Sequence, residues 1–146
     1  MKEIKVGYYE NGNVKYETPF KNDNKHGIEK WYYENGNIEY EIPFVKGKRH
    51  INGLIHGVVK RYYENGNVEY ETPFKKGKKH GVAKSYYENG NIEYEIPFVK
   101  GKRHGVVKWY DENGNLRRET TFENGEIHGV AKKLLWEWES KIWSSI

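Results

Sequence analysis

One turn string governs what this chain can fold into. Glu-Asn-Gly-Asn occurs at Glu10–Asn13, Glu34–Asn37, Glu64–Asn67, Glu88–Asn91 and Glu112–Asn115. A second marker, His-Gly, recurs at His26-Gly27, His56-Gly57, His80-Gly81, His104-Gly105 and His128-Gly129. Both ladders step by 24 residues, with one step of 30. Asn-Gly between alternating segments is the strongest short-range hairpin signal, because a type I′ turn asks for positive φ at both central residues. Five repeats of such a signal predict an all-β chain of five tandem β-hairpins in one elongated, single-layer antiparallel sheet.

In the fourth unit the first strand is read as Gly81–Glu88, the turn as Asn89-Gly90 and the second strand as Asn91–Phe98. Lys100–His104 then forms a loop to the next hairpin. A two-residue turn sets Tyr87 opposite Ile92, Ser85 opposite Tyr94 and Lys84 opposite Glu95. The same arithmetic pairs Lys30 with Glu41, Lys60 with Glu71 and Lys108 with Glu119. Recurrent opposite charges favour that register, whereas a three-residue turn would shift it by one and flip the faces. One face then carries Ala83, Tyr87, Ile92, Tyr94, Ile96 and Phe98; the other carries Lys84, Tyr86, Glu93 and Glu95. At roughly 4.8 Å per strand, each repeat advances about 9.6 Å. The six extra residues of the long step fall around Ile51–His56.

Composition agrees with a thin structure. Val, Ile, Leu and Phe make up about a fifth of the chain, and mean hydropathy is −1.04. Net charge is only +4, and 13 Tyr and 5 Trp supply amphipathic bulk that strands accommodate. The absence of cysteine removes disulfides and thiolate chemistry. No apolar run is long enough for a membrane helix, and the first residues have no apolar leader core. The chain as given therefore reads as cytoplasmic, with export open if a leader was removed. The repeat array spans residues 1–133. Residues 134–146, LLWEWESKIWSSI with no Asn-Gly turn, read as a Trp-rich C-terminal cap, a final strand running into a short helix.

The unit GVAKSYYENGNIEYEIPFVKGKRHG resembles the MORN repeat in its bacterial second variant, with a Tyr-rich strand, an Asn-Gly turn and a Gly-Lys-x-His-Gly loop. The likeness runs from Tyr8 to Ala131. It implies an elongated hairpin array used as an interaction platform, with no catalytic residues. Bacterial proteins built this way include YwqK-type antitoxins, and eukaryotic relatives tether membranes and act as scaffolds.

The residues themselves point the same way. Successive repeat histidines stand too far apart to share a zinc ion, whose Zn–N bonds are about 2.0–2.1 Å. Only His50 and His56 could approach each other. The carboxylates sit in repeated, like environments, whereas an acid–base pair needs unlike ones. No nucleophile, phosphate-loop or metalloprotease motif is present. The expectation is a non-enzyme without cofactor, metal or small-molecule substrate.

Two surfaces remain. Trp31, Arg61, Ser85, Trp109 and Lys133 occupy one slot in near-copied repeats. Trp and Arg are the types enriched in binding hot spots, so Trp31, Arg61 and Trp109, with Trp136 and Trp138 of the tail, form the expected protein-binding set. The basic loops, with Lys75, Lys76, Lys78, Lys79, Lys100, Lys102 and Arg103, offer the alternative: an edge for an anionic membrane or polymer. The terminal strands also leave sheet edges through which two copies could pair as a homodimer.

Overall fold

The computed structural model describes residues 1–46 and 53–129, and the backbone of 132–133. The described strands form one antiparallel sheet in chain order. Five long hairpins dominate it: Lys2–Tyr8 with Val14–Lys21, Gly27–Tyr32 with Ile38–Val45, Gly57–Tyr62 with Val68–Lys75, Gly81–Tyr86 with Ile92–Val99, and Gly105–Tyr110 with Leu116–Glu123. A two-residue strand, Lys132–Lys133, continues the sheet beside Arg118 and Glu119. The expected capping helix and the Trp-rich tail lie outside the described residues.

The turn chemistry differs from the expectation. Gly90 N–H donates to the Tyr87 carbonyl at 2.9 Å, and Tyr87 N–H to the Asn91 carbonyl at 2.8 Å. Within this turn only Gly90 has positive φ, +89°. The loop is therefore a three-residue turn, Glu88-Asn89-Gly90, with glycine in the left-handed position. It leaves Asn89 in an ordinary conformation, where its side chain accepts from Asn91 N–H at 2.9 Å.

A three-residue turn should have flipped the faces, but a β-bulge cancels it. Ser85 pairs with Tyr94 while Tyr86 pairs with Ile92, leaving Glu93 as the extra residue. Lys15, Glu39, Glu69 and Arg117 are the equivalents in the other hairpins. The pairs Lys84–Glu95 and Ser85–Tyr94 thus hold, and Tyr87 meets Asn91 instead of Ile92. Ile92 and Glu93 exchange faces: Ile92 joins Tyr86, and Glu93 turns toward Ser85, whose hydroxyl donates to it at 2.9 Å.

The type I′ geometry occurs between hairpins instead. Lys76-Gly77, Lys100-Gly101 and Asn124-Gly125 have φ of 50° and 80°, 48° and 87°, and 51° and 92°. What reads as a loop is a second, short hairpin, in which Lys78–Lys79 pairs with Phe74 and Lys75 and Lys102–Arg103 pairs with Phe98 and Val99. Leu54–Ile55 fills the same place beside Phe44 and Val45. Leu54, Ile55 and His56 are therefore repeat positions, and the extra residues precede them.

The junctions are fastened on up to three levels, and at the first junction His26 Nδ1 is buried without a hydrogen-bond partner among the described residues. At the connector end, Gly81 takes φ +111°, and a Cβ there would stand 2.9 Å from the Pro73 ring. Both the conformation and the contact require glycine. Next to it, the histidines accept through Nδ1 from the turn amide of the following connector: His56 from Lys76 at 3.3 Å, His80 from Lys100 at 3.4 Å and His104 from Asn124 at 3.4 Å. At the turn end, the Tyr-Tyr pair reaches both ways. Tyr9, Tyr33, Tyr63 and Tyr87 donate forward to the carbonyls of Tyr32, Tyr62, Tyr86 and Tyr110 at 2.6–2.8 Å. Tyr32, Tyr62, Tyr86 and Tyr110 donate backward to the carboxylates of Glu17, Glu41, Glu71 and Glu95, all at 2.8 Å. Hydrogen bonds to charged groups contribute roughly 1.5–3 kcal/mol each.

The sheet has two unlike faces. Across one runs Glu17, Lys30, Glu41, Lys60, Glu71, Lys84, Glu95, Lys108 and Glu119, each registered beside the next. The other face holds every buried side chain found among the described residues: Thr18, Glu29, Ala83, Ser85, Val107, Thr120 and Phe122. Val107 is 0% exposed on it, whereas its neighbour Val106, on the charged face, is 41% exposed. Bulges strengthen twist and bend strands, and the side chains of the aromatic face border a depression, so this is the concave side of the sheet.

Two outcomes follow from these junctions. Gly81→Ala is expected to destabilise the chain by about 1–3 kcal/mol. Gly129→Ala, where φ is +86° but a Cβ meets nothing within 4 Å among the described residues, should destabilise it less, and equal losses in urea unfolding would contradict the Pro–Gly contact. Tyr32, Tyr62, Tyr86 and Tyr110 are pushed up to about 12 from 10.0, by burial first and then by the hydrogen bond to glutamate. A raised tyrosine favours the fold fully below its unfolded value. That contribution is lost as pH climbs from 10.0 through about 12. Thermal melts across this window should fall together with tyrosine ionisation; melts insensitive to it would contradict the clamp.

Candidate functional site

The variable slot falls into one transverse row on the concave face. Tyr16, Trp31, Tyr40, Arg61, Tyr70, Ser85, Tyr94, Trp109 and Arg118 are each registered beside the next across the sheet. Every second member is the slot residue, and the intervening ones are the tyrosines of the second strands, with Arg118 at the end. The row continues to Lys133 by backbone pairing. Trp31, Arg61 and Trp109 thus lie in one row, separated by intervening strands, while Trp136 and Trp138 lie outside the described residues.

Trp31, Arg61 and Trp109 are half-buried and engaged with their neighbours rather than projecting freely. Trp31 packs on Tyr16 with ring centroids 5.0 Å apart, and its indole N–H donates to Glu29 at 2.9 Å. Glu29 is 3% exposed and also accepts from Thr18 at 2.9 Å and Lys25 at 2.5 Å. Burial works against its charge, but the hydrogen bonds from Lys25, Trp31 and Thr18 outweigh it and hold the carboxyl below its ordinary 4.5. Arg61 lies between Glu69 at 3.2 Å and Glu39 at 3.7 Å, over the Tyr40 ring at 5.3 Å. Trp109 has the Arg118 guanidinium 5.1 Å from its ring centre.

Toward the connector edge the face becomes a depression of about 390 Å³, bordered by Val59, Phe74, Ala83, Ile96 and Phe98, with Tyr70, Tyr94, Lys79 and Arg103 around it. Lys79 lies over Phe98 at 5.1 Å and Arg103 over Phe122 at 5.3 Å. These two cations therefore belong to the concave face. Lys75, Lys76, Lys78 and Lys100 gather with His80 around a separate hollow of about 330 Å³ on the connector edge. Lys102, exposed like the rest, stands one repeat further along. The predicted basic set is thus divided between two surfaces. The turn edge carries the glutamates, where Asn13, Asn37, Asn67 and Asn91 donate to the carbonyls of Glu34, Glu64, Glu88 and Glu112 at 2.7–2.9 Å.

Sequence reading missed Glu29, Glu39, Glu69 and Glu93 as members of the aromatic face. For the last three the obstacle was the bulge. For Glu29 a signal existed, because Val59, Ala83 and Val107 fill its place elsewhere. Among the described residues no three His, Cys, Asp or Glu side chains gather as a metal set would. Three of the histidines already use Nδ1 within the array.

The geometry meets a family pattern. The MORN repeat variant matches residues 5–22, 25–46, 55–76, 79–100 and 103–124, well over half of the chain. The chain belongs to this family, whose repeats are commonly interaction or binding modules and typically non-catalytic. No curated protein matches it.

The Glu29 cluster carries its own check. As pH falls, the Trp31 indole N–H resonance should move with a midpoint below 4.5, because the folded carboxyl titrates below its ordinary value. A midpoint at or above 4.5 would remove Glu29 as the group that orients Trp31.

Proposed function

We propose that the protein is a non-catalytic interaction module that docks a protein partner on its concave aromatic face. The observation that carries this is the transverse row. The scaffold is repeated nearly without change, yet the row reads Trp31, Arg61, Ser85 and Trp109 along one line. Repetition builds the surface, and the differences along it vary the recognition element from one hairpin to the next. Trp and Arg in half-buried positions between tyrosines have the composition of interface hot spots. In its sharpest form the partner is a toxin that the protein sequesters, an antitoxin or immunity role supported by family likeness alone.

A second reading rests on a different observation. The type I′ connectors bring Lys75, Lys76, Lys78 and Lys100 around one hollow, which suits an anionic membrane or polymer. Such binding weakens steeply with salt.

The two are separated by capture from lysate of the source cells at low and high salt, beside a Trp31→Ala/Trp109→Ala variant that retains its sheet circular dichroism. Concave docking predicts a protein retained at high salt and reduced at least about tenfold by the variant. Capture of only lipid or nucleic acid, released by salt, would contradict it in favour of the basic edge. Co-expression with a neighbouring toxin gene without any rescue would set aside the antitoxin form alone.

A further inference from the structure

The concave row contains a template for its own ligand. In the third hairpin the Arg61 guanidinium is held by two bulge carboxylates, Glu69 at 3.2 Å and Glu39 at 3.7 Å, over the Tyr40 ring at 5.3 Å. One repeat further on, the same surroundings recur in register. Glu69 and Glu93 replace Glu39 and Glu69, and Tyr70 replaces Tyr40. The slot residue there is Ser85, short and neutral, so the slot supplies no cation. Ser85 is 6% exposed, and its hydroxyl donates to Glu93 at 2.9 Å, with the Glu69 backbone carbonyl 3.3 Å away.

We propose that a partner segment fills this place with an arginine side chain, its guanidinium lying between Glu69 and Glu93 and over the Tyr70 ring. This rests on the reading of the concave face as the docking surface. Arginine fits better than lysine because the template is planar: a guanidinium can bridge two carboxylates and stack on a ring at once. Glu69 would then serve two guanidiniums, and a carboxylate with several donors on this face has a precedent in Glu29. The local charge favours an added cation. Two carboxylates, Glu69 and Glu93, border the Ser85 place, and the slot residue there brings no cation.

The test uses the whole chain, labelled for amide NMR, and two blocked tripeptides, acetyl-Val-Arg-Val-amide and the same peptide with citrulline, which keeps the shape and loses the charge. The arginine peptide should move the resonances of Glu69, Ser85 and Glu93, and the citrulline peptide should bind at least about tenfold more weakly. Ser85→Arg installs the template's own side chain and should abolish the effect. Glu93→Gln should weaken it about tenfold, and Arg61→Ser should open a second site around Glu39 and Glu69. Equal binding of both peptides on the concave face would overturn the guanidinium proposal and leave concave docking standing. Shifts confined to the connector lysines, or none at Ser85, would also overturn it.

Discussion

A single sheet layer has no second layer to bury against, so everything in this molecule depends on how one hairpin holds the next. The Tyr-Tyr pair does this at the turn end. Its first ring donates back to a glutamate of the preceding unit and its second donates on to a carbonyl of the following one. At the connector end the Pro–Gly contact and the histidine–amide bond do the same. Where the array ends, the fasteners change. Asp111 stands where the forward-donating tyrosine would be, Thr121 where the proline would be, and among the described residues no ring lies against Gly129. Stability of this kind is a sum over junctions rather than a property of one core.

The turn and the bulge act as a pair. Each shifts the register by one residue, and the two shifts cancel. What survives is local: the bulge curls the sheet and turns one residue per hairpin onto the aromatic side. In the middle of the array those residues are Glu39, Glu69 and Glu93, and at its ends Lys15 and Arg117. The concave face thereby acquires charge that strict alternation would have sent to the opposite side. A fold device, needed to keep the hairpins in step, also sets the chemistry that a partner meets.

The repeat, the antiparallel order and the Glu–Lys register were legible because they depend on periodicity and on pair arithmetic, which strings such as Lys84 and Glu95 display directly. The turn type was not. Asn89-Gly90 satisfies both a two-residue turn and the last two places of a three-residue one, and only the backbone distinguishes them. The error left most of the register intact because the bulge at Glu93 cancelled it, yet it misplaced Ile92 and Glu93. The connector strands at Lys76-Gly77 and Lys100-Gly101 were hidden because Lys-Gly is a weaker turn signal than Asn-Gly, and Asn124-Gly125 was the connector that carried the stronger one. The slot residues were found from their variation within near-copies. Their partners were not, since Glu39 and Glu69 read as solvent-facing strand positions until the bulge is seen.

The central claim is that each hairpin is held chiefly by its neighbours. Removing one whole period, residues 81–104, joins His80 to Gly105 and rebuilds the same junction one unit shorter. Thermal unfolding of that chain, followed by far-ultraviolet circular dichroism, tests the claim most directly. The account predicts the same sheet signal per residue and a cooperative transition at a moderately lower temperature. A chain that no longer folds would mean that the array relies on contacts beyond neighbouring hairpins, and would contradict it.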